Sequence, residues 1–385
     1  MTLQEAIRAK DFEKAVNIVQ TESDPFEGLR DYHVTGIYDS LLRERAFDVI
    51  EALVESGAIE MDIYEHDSFN KTIFMSLVKN LGTDAESLSF LDSFVPRVQN
   101  LNDELEGKSF LGLALEHETP IEVVRAMVHH GCDVNIIDRS EGNLVHAIVK
   151  KYTRKYDLGL AYLELMYEQG VDLEKANVAK ETPLHIAVRE HRMEYIKWLL
   201  ENGADPNVQD AKGVSPFYHA VANAIDLEKY KLMREYATPE FDQRTTAGEA
   251  LLFQTIKMGC GPELLQLLLE DGADLYATST DRGQPVTAMD ALVDTGPELL
   301  KVVIAASGFE VNHQDDAGNT LLHKICGRFT MNEDKRAKEV YRNVKMLLEA
   351  GADPSMTNAN EETAMMIAST DNLKAKTVAL LVAGK

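Results

Sequence analysis

Apolar residues recur in paired short bursts along most of the chain. In TPLHIAVREHRMEYIKWLLENGADPNVQD, residues 182–210, Leu184, Ala187 and Val188 fall on one helical face, and Met193, Ile196, Leu199 and Leu200 repeat that spacing. The pattern predicts two short helices separated by a turn. Thr182 can cap the first with its hydroxyl, and Pro183 suits the opening turn, where the amide it lacks would be unpaired. Gly203 follows the last apolar pair, where helices commonly end in a left-handed residue. Asp205, Pro206, Asn207 and Gly213 are turn formers. Helices below roughly 12–15 residues are marginal alone in water, so each pair has to bury its apolar face against neighbours.

The pattern repeats. The Thr-like capping position recurs at Thr2, Thr35, Thr72, Ser109, Asn143, Thr182, Ser215, Ala250, Thr287, Thr320 and Thr363, at intervals of 33 to 43 residues. The glycine after the second helix recurs at Gly57, Gly131, Gly170, Gly203, Gly272, Gly308, Gly351 and Gly384; the repeats at Thr72 and Ser215 lack it. TPLHIA (182–187) with LLENGADPN (199–207) resembles the ankyrin repeat, a helix–turn–helix unit of about 33 residues closed by a β-hairpin turn. The resemblance is sharp at 131–220 and 248–360 and weak at 1–105, where KTIFMSL (71–77) keeps only the apolar rhythm. It implies an all-α ankyrin-repeat solenoid spanning 1–385, with short hairpin turns. Residues 1–34 would form an N-terminal cap repeat, 35–362 the internal repeats and 363–385 the C-terminal repeat.

Composition fits that expectation. A chain of 385 residues would normally suggest two or more globular domains, but a stack grows in one dimension with only neighbour contacts. No apolar run is long enough to span a bilayer, and MTLQEAIRAKDFEKAV reads as an amphipathic helix, not a signal peptide. Three cysteines argue against a disulfide framework and for a reducing compartment. A cytoplasmic setting is expected, in the producing cell or in a host that receives the protein. The net charge of −25 disfavours nucleic acid and anionic membrane surfaces as partners.

Candidate chemistry is sparse. His146, His185 and His323 share one repeat position, and the resemblance implies that they tether adjacent backbone instead of forming a catalytic set. HHGC (129–132) offers two imidazoles and a thiol without the further ligands a metal site needs. Cys260 lies near a predicted helix N-terminus, where a thiol can be activated, but no partner arrangement is recognisable. Neither a P-loop nor a dinucleotide fingerprint is present. No catalytic residue, cofactor or metal is expected. The reading is a non-enzymatic scaffold or adaptor that binds another protein. Its alternatives are a recruiting subunit of an enzyme complex, a host-directed effector, and an enzyme with an unrecognised site.

Two inserts break the regularity, near 150–157 and 327–342, and both are net basic. Insertions in repeat proteins map to loops, often on the binding face. The resemblance implies contact positions seven and eight residues after the Thr-like site. With the inserts, these give Lys79, Lys150, Lys151, Arg154, Lys155, Arg189, Glu190, Lys257 and Arg328 as partner-binding candidates on a concave groove. Ala211, Lys212 and Val214 are hairpin-tip candidates. An acidic protein surface is the expected partner. Reversing Lys150, Lys151, Arg189 and Lys257 is expected to weaken its capture with little loss of fold. The apolar ending TVALLVAGK leaves two expectations, a monomer or weak self-association through the C-terminal repeat.

Overall fold

A computed structural model describes every residue except 154, 332, 384 and 385. The helix-pair pattern is realised throughout. The chain divides into two compact units, Met1–Leu199 and Leu200–Lys385. The first contains α1 (Leu3–Arg8), α2 (Phe12–Thr21), α3 (Asp31–Arg43), α4 (Phe47–Glu55), α5 (Ile73–Asn80), α6 (Ala85–Phe94), α7 (Phe110–Glu116), α8 (Ile121–His129), α9 (Leu144–Lys150), α10 (Tyr156–Glu168), α11 (Pro183–Arg189) and α12 (Met193–Glu201). First helices stack on first helices, α3 on α5, α5 on α7, α7 on α9 and α9 on α11. Second helices form a parallel layer, with α2 on α4, α6 on α8 and α8 on α10. The apolar faces meet between the layers, where Phe74, Phe94, Phe110, Leu163, Ile196 and Leu199 are fully buried.

The second unit repeats the scheme with α13 (Pro216–Tyr218), α14 (Leu227–Arg234), α15 (Leu251–Lys257), α16 (Pro262–Glu270), α17 (Ala288–Leu292), α18 (Pro297–Ala305), α19 (Leu321–Gly327), α20 (Asp334–Glu349), α21 (Ala364–Ala368) and α22 (Ala375–Ala383). α13 runs into one turn of π-helix, His219–Asn223. The strands β1 (Ser279–Asp281) and β2 (Gln284–Val286) pair antiparallel across Arg282 and Gly283, both with positive φ. This is the two-residue hairpin geometry that glycine favours.

Local chemistry explains the helix ends. Thr2, Thr72, Ser109, Asn143, Ser215, Thr320 and Thr363 each accept a backbone amide into the side chain at a helix start. Gly57, Gly131, Gly170, Gly203, Gly272 and Gly351 take φ of 75–104° after the second helices, a region open to glycine without a Cβ clash. Three sequence expectations need correction. Thr35 is not a cap: α3 begins at Asp31, and the Thr35 hydroxyl donates back to the Asp31 carbonyl at 3.0 Å. This first helix has 13 residues where α7, α9 and α11 have 7, so a fixed period misplaces its start. Gly308 is not a left-handed terminator, because α18 ends at Ala305 and leaves through extended Ala306. The inserts are only partly loop. Asp334–Arg342 belongs to the 16-residue α20, whose buried Ala337, Val340, Val344 and Leu347 keep one face. Gly384 lies outside the described residues.

The histidines that share one position of the repeat serve as tethers. His146 Nε2 donates to the Glu181 carbonyl at 3.1 Å, one hairpin onward. His323 Nε2 donates to the carbonyls of Met356 (3.1 Å) and Glu362 (3.2 Å), while its Nδ1 accepts the Thr320 amide at 3.2 Å. His185 Nδ1 accepts the Thr182 amide at 3.0 Å. In the repeat at Ser215, Tyr218 stands in the histidine's place and its hydroxyl reaches Glu249 at 3.4 Å.

Burial holds His146 below its ordinary value of 6.5, opposed by its bond to the Glu181 carbonyl. A depressed histidine contributes stability that is present above its unfolded value and lost as pH falls through the folded one. Protection of the amides at 177–181 against hydrogen exchange should therefore fall as pH drops below the ordinary histidine value. In His146→Gln that pH dependence should flatten. A wild-type protection factor that stays constant as pH drops would show that the tether is not proton-sensitive.

Candidate protein-binding face

The predicted contact positions lie at the C-terminal ends of the first helices, where unpaired helix carbonyls and the macrodipole favour cations. The structure places most of these cations in local pairs. In the first compact unit, Lys151 folds back on α7, donating to the carbonyls of Leu115 (3.1 Å) and Glu116 (2.5 Å). It also pairs with Glu118 at 3.5 Å, and Lys155 reaches the same carboxylate at 3.0 Å. Bonds from Lys155 and Thr153 hold Glu118 below the usual carboxylate range. Burial lowers Lys151, with Glu118 opposing. Arg189 is engaged by Glu181 and Glu190, so Glu190 is spent on the same cluster. Arg154 lies outside the described residues.

Lys79 and Lys150 differ. Both are exposed at helix ends, and among the described residues neither forms an ion pair. Their neighbour His117 is pushed down by burial and then by the charges of Lys79, Lys151 and Lys108, against Glu116. Three lysine charges thus act on His117, although Lys108 pairs with Glu116 at 2.6 Å. A cleft of about 470 Å³ runs along this face between α7 and α9. Gly112 and Ala147 keep its floor low, and Leu115, Ile148 and Leu158 make its walls apolar.

In the second compact unit, Lys257 pairs with Asp281 of the β-hairpin at 2.8 Å. Arg328 is nearly buried between Asp294 (3.3 Å) and Glu339 (3.1 Å), so an exposed contact role does not fit it. Ala211 and Lys212 are exposed at a hairpin tip, with Val214 half-buried below them. The Lys212 carbonyl accepts the Thr246 amide of the next hairpin at 2.8 Å. A cation the sequence reading passed over, Lys324, bridges Asp290 (2.5 Å) and Asp315 (2.6 Å). The expectation that Lys151, Arg189 and Lys257 could be reversed with little loss of fold is therefore withdrawn: each reversal would set carboxylate against carboxylate.

The two inserts carry one local design that the sequence reading missed. Lys151–Tyr152–Thr153 and Arg328–Phe329–Thr330 each directly follow a first helix. The cation folds onto carbonyl oxygens of the preceding repeat, Arg328 reaching the Asp294 carbonyl at 3.2 Å. The threonine is buried and donates to a carboxylate, Thr153 to Glu118 (2.8 Å) and Thr330 to Asp371 (2.6 Å). The aromatic between them is left 67% exposed at Tyr152 and 68% at Phe329. The matching pattern of cation, aromatic and threonine was the signal available in sequence.

Chemistry elsewhere is quiet. Burial pushes Cys132 and Cys326 up to about 12 and Cys260 to about 11, so Cys260 is not an activated thiol, and all three cysteines are buried. His130 contacts Asp92 at 2.8 Å. Among the described residues no three His, Cys, Asp or Glu side chains group to hold a metal, and no helix is long and apolar enough to cross a membrane.

Comparison with known proteins agrees with the geometry. Residues 111–210 and 153–237 match the family model described as ankyrin repeats (3 copies). Mouse rabankyrin-5 is 24% identical over 344 residues, covering 78% of this chain and 28% of the relative. Human B-cell lymphoma 3 protein is 26% identical over 208 residues, covering 54% and 43%. The E3 ubiquitin-protein ligase KEG of Arabidopsis thaliana is 23% identical over 331 residues, covering 85% and 17%. The chain thus spans less than half the length of these curated relatives. Among solved structures, the ankyrin repeat domain of Bcl-3 superposes with a TM-score of 0.50 at 22% identity, over 64% of this chain and all of that one.

Proposed function

We propose that the chain, which is an ankyrin-repeat protein, acts as a scaffold or adaptor that binds another protein on the first-helix face of its repeats. In the first compact unit this face receives acidic groups. Ankyrin repeats generally mediate protein–protein interaction, and no residue here is assigned to catalysis. The observation that supports the acidic partner is that Lys79 and Lys150 are exposed at the ends of α5 and α9 and, among the described residues, form no ion pair, Lys150 standing on the rim of the α7–α9 cleft. The net charge of −25 does not oppose it at short range. At physiological ionic strength charges beyond about 8 Å are largely screened, so the local cations dominate an encounter.

The test replaces the quadruple reversal with Lys79→Glu/Lys150→Glu, which breaks no ion pair among the described residues. Partners captured from native lysate by the parent would be purified and titrated. The variant should keep its helical signal while its association rate falls about tenfold at low salt, with the difference shrinking as salt rises. An unchanged rate for the folded double variant would remove the acidic-partner reading and turn attention to Ala211, Lys212 and Val214.

A further inference from the structure

The repeat that begins at Ser109 lacks its tether. Three residues after the capping position, other first helices carry His146, His185, Tyr218, Phe253, Asp290 or His323, but α7 carries Gly112. A Cβ on Gly112 would meet only the Ser109 hydroxyl, at 3.4 Å, so the space beside it is open. Gly112 lines the α7–α9 cleft together with Ser109, Asp138 and Gly142. This end of the cleft is the volume that a tether fills in other repeats.

Two tethered repeats show what the space is shaped for. The His146 imidazole joins two backbone groups, its Nδ1 accepting the Asn143 amide at 3.2 Å and its Nε2 donating to the Glu181 carbonyl at 3.1 Å. His323 joins the Thr320 amide and the Glu362 carbonyl in the same way, each at 3.2 Å. The counterparts for α7 are the Ser109 amide and the Gly142 carbonyl, since Gly142 precedes the next cap as Glu181 and Glu362 do. All three carbonyls accept one hairpin amide: Gly142 from Asp138 at 2.8 Å, Glu181 from Asn177 and Glu362 from Asn358 at 3.0 Å. Of the three, Gly142 alone lacks the second, imidazole donor, although a carbonyl oxygen can accept twice. Among the described residues the Ser109 amide has no acceptor. Ser109 and Gly142 are both buried, where backbone groups are nearly always paired. A ring that offers one donor and one acceptor would complete both, and neutral imidazole is the side chain that does. The charges along the cleft stand largely in pairs, Lys108 with Glu116 and Lys151 and Lys155 with Glu118, which suits an uncharged ring.

We propose that the Ser109–Gly142 end of the cleft receives a neutral histidine side chain of the partner protein, its ring accepting from the Ser109 amide and donating to the Gly142 carbonyl in place of the missing tether. The cleft continues to Leu115, Ile148 and Leu158, which would take an apolar side chain next to that histidine. The proposal rests on the protein-binding reading and adds the residue type that this face recognises.

The probe is 4-methylimidazole, the histidine side chain without its backbone. It would be titrated into the full chain at about pH 9, where the ring is uncharged, and followed by amide chemical shifts. Shifts at Ser109 and Asp138 should saturate with a midpoint of about 1–10 mM, within reach of so small a ring. 1,4-Dimethylimidazole keeps the ring but has no N–H, so its midpoint should lie about tenfold higher or more. Gly112→His should fill the space from within. It should melt roughly 2–4 °C above Gly112→Ala, the control for the lost glycine, and should abolish saturation by the probe. Titrated with the purified partner, Gly112→His should bind about tenfold more weakly and Gly112→Ala about as well as the parent. No saturation up to about 50 mM, equal binding of the two imidazoles, or a Gly112→His protein that melts below Gly112→Ala would overturn the site. Partner binding unchanged in Gly112→His, with a probe that saturates, would overturn the partner-borne histidine and leave a site for a small heteroaromatic ligand. Failure of the acidic-partner reading would appear instead in the Lys79→Glu/Lys150→Glu variant, which the probe titration does not use.

Discussion

Gly159→Ala should destabilise the protein by about 2–3 kcal/mol, although alanine is the better helix former by roughly 1 kcal/mol. Gly159 sits in α10 with ordinary helical geometry, so the usual argument from propensity favours alanine. The obstacle is Tyr195. A Cβ on Gly159 would lie 2.8 Å from the ring carbon that carries the Tyr195 hydroxyl, and closer still to the oxygen. The ring cannot swing away, because Tyr195 is fully buried and meets Tyr156 edge-on at 6.0 Å. Either α10 and α12 separate or Tyr195 leaves its rotamer, and overpacking of this kind costs on the order of 1–3 kcal/mol. Chemical denaturation followed by circular dichroism checks the sign. Adding Tyr195→Leu to Gly159→Ala should recover much of the loss, a coupling that two independent sites would not show. A Gly159→Ala protein as stable as its parent would mean that the two helices adjust freely.

His323→Ala should cost about 3 kcal/mol, concentrated in its own repeat and the one that follows. The imidazole is 1% exposed and satisfies groups in two repeats at once. Its Nε2–H serves the carbonyls of Met356 and Glu362, and its Nδ1 accepts the Thr320 amide at the start of α19. Removing it strips a donor from two carbonyls and a cap from one helix, and it leaves a cavity. Each deprived buried group costs about 1–3 kcal/mol. Because repeats couple mainly to their neighbours, the loss should appear as faster hydrogen exchange at 320–326 and 356–363, with little change in the first compact unit. Uniform acceleration over the whole chain would instead indicate a single cooperative fold.

The sequence showed the fold wherever capping chemistry and period coincide. Thr72, Ser109, Asn143, Ser215, Thr320 and Thr363 all cap the helices their spacing assigns them. It misled where a helix lengthens, as in α3 and α20, because the cap residue then falls inside the helix or the supposed loop coils up. The candidate face was half legible. The cations stand where the repeat pattern puts them, but their partners range from an adjacent residue, as for Arg189, to about a repeat away, as for Lys151 and Arg328. Only the structure separates Lys150, which makes no ion pair, from Lys151, which serves α7. The packing of Tyr195 on Gly159 was not legible at all. It joins α12 to α10 of the preceding repeat, and no short motif links those positions.

Among the described residues, the longest side-chain hydrogen bonds, Asn343 to Thr295 and Lys374 to Cys326, join positions 48 apart. That short reach limits how far a change in one repeat can spread. An insertion, a lost glycine or a tyrosine in place of a histidine has only the adjoining repeats to satisfy. Lineages of this chain can therefore diverge repeat by repeat, each repeat drifting under the constraints of its neighbours alone. The repeats seen here are unequal in this way, with a π-turn in one and a basic insert in two others.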